Sequence, residues 1–243
     1  MDSLFIRAVQ IDWQKISEDS YLQKIEAVRN IDELVFRRPV TFFAGENGSG
    51  KSTLLEAVAA AYGFNPEGGT RNYRFSTYDS HSELYQAVRL IRSPRRPAWG
   101  YYLRAESFYN VATIEEEYAK AGGVPSHKYH EKSHGESFLD LVGRQFGPQG
   151  IYLLDEPEAA LSVQRQLTLM IEIDALVKEG SQFIIATHSP ILLGAGNAEI
   201  LSFDGGSVHP VLYEETDSYR ITKLFVNDRE ALLRKMIDDS DAG

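Results

Sequence analysis

The chain has 243 residues, 43% of them hydrophobic, which is enough for one sizeable core. Its net charge of −10 and pI near 5.1 give a surface that does not attract nucleic acid unaided, so such a contact needs a local basic patch or a partner. The absence of cysteine excludes a disulfide framework and Cys-ligated zinc, and no apolar run reaches the ~20 residues of a membrane span. The opening MDSLFIRAVQ is too weakly apolar for a signal peptide, and the expectation is a cytoplasmic protein without membrane insertion.

In chain order, residues 4–11 alternate as a strand does, and residues 40–44 form a short apolar strand after a proline. KSTLLEAVAAAYG is rich in helix formers and stops at Gly63. Residues 64–98 are polar, and one helix is expected over 82–91. WGYYLRAES predicts a strand ending near Ala105. Thr113 and Glu116 make a capping box for a helix that Gly122 closes. Ser133 and Glu136 make another, followed by the apolar spacing of Phe138, Leu139, Leu141 and Val142. Gly135 weakens that helix's first turn, so either the turn is only a turn or something approaches its backbone closely. A buried strand over 151–155, a helix over 162–178 and a second buried strand in QFIIATHSP follow. AEILSFDGGSVHPVLYE predicts a hairpin turning at Gly205 and Gly206, and short helices end the chain. Apolar strands separated by helices predict an α/β fold with a largely parallel sheet.

Three motifs carry chemistry. GENGSGKST places Gly45, Glu46, Asn47, Gly48, Ser49, Gly50, Lys51, Ser52 and Thr53 between a predicted strand and a predicted helix, as a phosphate loop requires. Chance matches arise on the order of once in 100 chains of this length, and the strand–helix context removes most of that ambiguity. Backbone N–H groups and the helix N-terminus face phosphate oxygens, Lys51 bridges the β- and γ-phosphates, and Ser52 ligates Mg²⁺. IYLLDEP ends a buried strand in Asp155, a metal-supporting carboxylate, followed by Glu156, placed to polarise an attacking water. FIIATHSP puts His188 at another strand end, within reach of a γ-phosphate.

The order of phosphate loop, SHGES, Asp–Glu strand and histidine resembles that of the ATP-binding-cassette (ABC) ATPases. SHGES falls where that family carries its signature, with His134 in place of the usual first glycine and Lys132 in place of a leucine. The resemblance implies one ABC-type domain over 1–243, with a helical signature subdomain over roughly 64–148. It also implies a head-to-tail homodimer in which Ser133 and Gly135 of one subunit close on the nucleotide of the other. Glu158 in DEPEAALS is more similar to stand-alone and SMC/RecF-like ATPases than to transporter subunits. The separation of 82 positions from Lys51 to Ser133 leaves no room for a long coiled coil. No glutamine follows YYLRA; Glu106 takes the place of the family's Mg²⁺-contacting glutamine. Tyr21 and Trp13 are the aromatic candidates for stacking on adenine.

His127, His130 and His134 share a spacing that mimics a metal site, but Pro125 and a helix starting after Ser133 argue against one continuous helix, and no HExxH or acidic third ligand accompanies them, so no metal beyond Mg²⁺ is expected. Arg89, Arg92, Arg95 and Arg96 form the strongest basic cluster and the best candidate nucleic-acid contact. The expectation is a Mg-ATPase acting on an unidentified protein partner or on DNA. The alternatives are an energising subunit of a membrane transporter and a nucleotide sensor with little turnover.

Overall fold

Two sheets organise the computed structural model, which describes residues 4–71, 82–106, 108, 113 and 134–241. In chain order the strands and helices used below are β1 (Ile6–Ile11), α1 (Glu26–Arg29), β2 (Glu33–Val35), β3 (Val40–Ala44), α2 (Lys51–Tyr62), α3 (Leu84–Ala87), β4 (Val88–Arg92) and β5 (Trp99–Arg104). They continue with α4 (His134–Gln145), β6 (Gly150–Asp155), α5 (Val163–Lys178), β7 (Gln182–Ala186), α6 (Pro190–Leu193), β8 (Glu199–Ser202), β9 (His209–Val211), α7 (Asp217–Asn227) and α8 (Arg229–Asp241).

The larger sheet has six strands in the order β5-β6-β7-β3-β8-β9. All its pairings are parallel except β8 with β9. Every residue of β3, β6 and β7 is buried, which is why these strands read as largely apolar runs. Side-chain alternation divides them between two cores. Phe43, Tyr102, Leu153 and Ile184 face α2 and β1, whereas Phe42, Tyr101, Leu154 and Ile185 face α4 and α5. Leu54, Leu55 and Val58 of α2 are fully buried, each contributing roughly 1.5–3 kcal/mol. The smaller antiparallel sheet, β2-β1-β4, covers the other side of α2. Buried Gln182 joins the sheets: its Oε1 accepts from the Phe5 and Ile6 N–H groups at 2.7 and 2.9 Å, and its Nε2 donates to Ile6 O at 2.9 Å.

The strands expected over 4–11, 40–44, 99–105 and 151–155 form, as do the helices ending at Gly63 and Lys178. The hairpin also forms, with Gly205 and Gly206 both at positive φ in its turn. The helix expected over 82–91 does not. It stops after α3, and Val88–Arg92 becomes β4, paired antiparallel with β1. Val88 and Leu90 then pack on the α2-side core, a tertiary gain that outweighs the local helical pattern. The 64–148 stretch is accordingly not all helical: it supplies β4 to one sheet and β5 to the other. The helix expected after Thr113 lies outside the described residues.

Candidate active site

All five parallel strands end at one edge of the sheet, where ligands gather in open α/β folds. From β3 the chain enters the glycine loop. Gly45, Gly48 and Gly50 have φ of 140°, 82° and 100°, conformations that disfavour side chains. Space is closed as well: a Cβ on Gly45 would lie 2.9 Å from Asp204 Oδ1, and one on Gly50 would lie 2.5 Å from Val28 Cγ2. Glu46, Asn47 and Gly48 form the exposed rim of the loop, and Ser49, Ser52 and Thr53 are half-buried. Lys51, at the start of α2, is buried, and its Nζ donates to Gly45 O at 2.8 Å and Glu46 O at 2.7 Å. Burial lowers the Lys51 pKa, against the opposing pull of the Glu156, Asp204 and Asp155 carboxylates.

Strand β6 brings Asp155 beside α2, where its Oδ1 accepts a 2.8 Å hydrogen bond from the Ser52 hydroxyl. Burial pushes the Asp155 carboxyl up to about 6, although Ser52 and Arg104 both favour its ionised form. A hydroxyl and a carboxylate are the hard oxygen donors that Mg²⁺ takes, and Mg²⁺ needs only one or two protein ligands beside water and substrate phosphates. The pair therefore fits that ion. Among the described residues no group of three His, Asp or Glu side chains is placed to hold a metal by itself. Ser52, Asp155, Glu156 and Glu106 line one cavity of about 200 Å³, with Glu106 at its exposed rim.

A pH dependence follows for the nucleotide-free protein. The folded-state pKa of Asp155 is raised, so its contribution to stability is fully present below the ordinary value of 3.8 and is lost as pH rises through about 6. Asp155→Asn removes that loss. Relative to wild type it should gain stability as pH rises from 4 to 7, by on the order of 2 kcal/mol. Urea denaturation across this range checks it; a difference independent of pH would contradict the assignment.

Glu156 has left-handed backbone angles, φ 49° and ψ 50°, and its N–H donates to Ala186 O at 2.9 Å. The turn thus couples the ends of β6 and β7 and sets Glu156 Oε1 3.6 Å from His188 Nε2. The His188 N–H donates to Glu158 Oε1 at 2.6 Å, which gives the second acid of DEPE a place in the same cluster. Lys51, Ser52, Asp155, Glu156 and His188 therefore lie near one another at the strand ends.

Other candidates lie elsewhere or take other partners. Ser133, His127 and His130 fall outside the described residues. Gly135 is buried, and the close approach to it comes from its own chain: a Cβ there would lie 2.7 Å from Arg165 Cδ and 3.1 Å from Ala160 O. Arg165 also pairs with Glu136 at 3.1 Å, fixing the start of α4 to α5. Trp13 donates from Nε1 to Ile31 O at 3.1 Å and carries the Arg29 guanidinium 5.0 Å from its ring centroid. The Tyr21 side chain is 56% exposed. In the basic cluster, Arg92 stacks over Tyr62 and Arg95 over Phe5, so these exposed side chains also serve packing.

Two residues at the site were not singled out from sequence. Asp204, after β8, accepts the Glu46 N–H at 2.8 Å and so anchors the glycine loop. Its sole sequence signal is an acid at a strand end, which is common. Arg104, the last residue of β5, pairs with Glu56 Oε2 at 3.1 Å, Glu106 Oε2 at 3.5 Å and Asp155 Oδ2 at 3.7 Å. A basic residue in a strand that ends in polar residues gives no signal without the sheet order.

Known proteins are similar to this chain in sequence and fold. Residues 21–125 match the family described as "AAA domain", and residues 107–194 match "AAA domain, putative AbiEii toxin, Type IV TA system". The cytochrome c biogenesis ATP-binding export protein CcmA of Rhizobium etli is 28% identical over 179 residues, covering 66% of this chain and 80% of that protein. The hemin import ATP-binding protein HmuV of Rhodopseudomonas palustris is 25% identical over 183 residues, covering 66% of this chain and 69% of that protein. A crystal structure of the ATP-binding cassette of an ABC transporter, in its ADP conformation, superposes with a TM-score of 0.50 at 16% identity. That match covers 95% of this chain and 98% of the other, and it shows a shared fold. With the phosphate loop, the acidic strand end and the histidine brought to one sheet edge, the chain has the fold of an ATP-binding cassette and is similar to the ATP-binding proteins of that type.

Proposed function

We propose that the chain binds Mg-ATP and hydrolyses it as a head-to-tail homodimer, using the cycle to drive a protein partner or a nucleic-acid transaction. The convergence of Lys51, Ser52, Asp155, Glu156 and His188 at one strand edge carries this reading. The loop N–H groups and Lys51 bind the β- and γ-phosphates. Ser52 and Asp155 would hold Mg²⁺, which supplies charge neutralisation when bound. Glu156 accepts a proton from the attacking water. The new O–P bond forms at the γ-phosphorus as the β,γ-bridging bond breaks and ADP departs. His188 donates to the γ-phosphate. The exposed Tyr21 ring supports stacking on adenine better than Trp13, whose ring is already engaged.

Ser133 and Gly135, in a signature subdomain within 64–148, would meet the γ-phosphate bound by the second subunit. The Arg165–Glu136 pair supports this by holding the start of α4 in one place. With Mg-ATP, a Glu156→Gln variant is expected to run as a dimer in size-exclusion chromatography. Adding Ser133→Arg should return it to a monomer of similar ATP affinity. A double variant that still dimerises would reduce SHGES to a helix start.

The two relatives named as export and import ATP-binding proteins favour a second reading, the energising subunit of a membrane transporter. It expects the tagged chain to co-purify with an integral membrane protein from detergent-solubilised membranes. Glu158, more similar to the residue of stand-alone and SMC/RecF-like ATPases at that place in the motif, supports the stand-alone reading.

A further inference from the structure

Arg104 has no part in the chemistry above, yet it lines the same cavity as Ser52, Asp155 and Glu156. Its position follows from the sheet. Arg104 and Asp155 are register partners on the parallel strands β5 and β6, so their side chains leave the sheet on one face. That face is the one α2 covers, and α2 presents Ser52 and Glu56 one helical turn apart. The two pairs cross-connect: Ser52 donates to Asp155 Oδ1, and Glu56 binds the Arg104 guanidinium. Glu106 closes the group at the rim.

The consequence is a division of Asp155. One oxygen serves Ser52, while the other faces Arg104 Nε at 3.7 Å, and that Nε has no hydrogen-bond partner. Glu56, Glu106, Asp155 and Glu156 would together draw any divalent cation into a small cavity. Arg104 is the cation among the cavity-lining residues, and its side chain is only 22% exposed. A free metal ion at Ser52 and Asp155 must therefore approach a fixed positive charge in a poorly screened site. A nucleotide changes the balance, because its phosphates bring negative charge and further oxygen ligands to the metal.

We propose that Arg104 is a built-in counter-ion that keeps free divalent cations out of the Ser52–Asp155 corner, so that metal enters with the nucleotide and not before it. The proposal rests on the reading of Ser52 and Asp155 as the metal-holding pair. Arg104 is thereby a positioning residue: it faces the outer oxygen of Asp155 and the Glu106 carboxylate.

The test uses the full chain and Mn²⁺ as probe, titrated without nucleotide and followed by the electron paramagnetic resonance of free Mn²⁺. Wild type should bind weakly. Arg104→Met should bind at least about tenfold more tightly, and Arg104→Lys, which keeps the charge, should resemble wild type. Adding Asp155→Asn to Arg104→Met should remove the gained site. Equal affinity in wild type and Arg104→Met overturns the proposal, as does a gained site that survives Asp155→Asn. Should Arg104→Met fail to fold, Arg104→Gln is read in the same way. The wild type decides independently, since tight nucleotide-free binding that Asp155→Asn abolishes would also overturn it. Mg-ATP binding by wild type is measured alongside. Its failure would defeat the ATPase reading itself, whereas intact ATP binding with no gain in Arg104→Met defeats the counter-ion alone.

Discussion

Lys51→Ala is expected to lose ATP binding by at least about 100-fold while the protein stays folded. The Lys51 ammonium lies against the glycine loop, 2.8 Å from Gly45 O and 2.7 Å from Glu46 O, at the start of the helix whose N-terminus faces the phosphate position. Truncation removes a positive charge that no neighbour replaces, because the charged groups acting on it are the carboxylates of Glu156, Asp204, Asp155 and Glu158. Nucleotide phosphates would then meet an acidic rim. Stability should change little. Burial already disfavours the charged amine, so its loss relieves a desolvation cost even as two carbonyls lose their donor. Asp204 still holds the loop through the Glu46 N–H. Isothermal titration with Mg-ATP, beside a thermal melt, reads both halves. Tight binding by the variant would remove the phosphate-loop assignment, and an unfolded variant would contradict the structural half.

Local chemistry explains which parts of this site were legible in the sequence. The glycine loop is readable because positive φ and close packing at Gly45 and Gly50 tolerate no side chain, so the constraint is written in residue type. Strands β3, β6 and β7 are readable because burial on both faces leaves mostly apolar residues before the functional strand end. Strand β4 was misread as helix because its partner, β1, lies some eighty residues earlier and contributes nothing to local propensity. Arg104 and Asp204 escape for a related reason. Each matters through a residue far away in sequence, Asp155 for one and Glu46 for the other, and the sheet order alone makes them neighbours. At Gly135 the sequence pointed to the nucleotide of a second subunit, whereas the space beside it is filled by the Arg165 side chain of the same chain, which lies far away in sequence.

Glu156→Gln should leave Mg-ATP binding near wild type and reduce turnover by ~10²–10⁴. Gln keeps the size of the side chain and one carbonyl oxygen, so the left-handed turn and the Glu156 N–H bond to Ala186 O persist. What is lost is the capacity to take a proton from water. Position argues for Glu156 over the other acids. Asp155 is committed to Ser52 and Arg104, and Glu158 to the His188 backbone. Glu106 sits at the rim, 84% exposed, with Arg104 beside it. Glu156 alone among them both lines the cavity beside Ser52 and lies 3.6 Å from His188 Nε2, where a γ-phosphate donor and a water-polarising base belong together. The binding and kinetic halves separate the roles. If affinity fell with kcat, Glu156 would be a structural or metal-supporting residue. If turnover survived at the wild-type level, the base would be another carboxylate, and Glu106→Gln would be the variant to measure next.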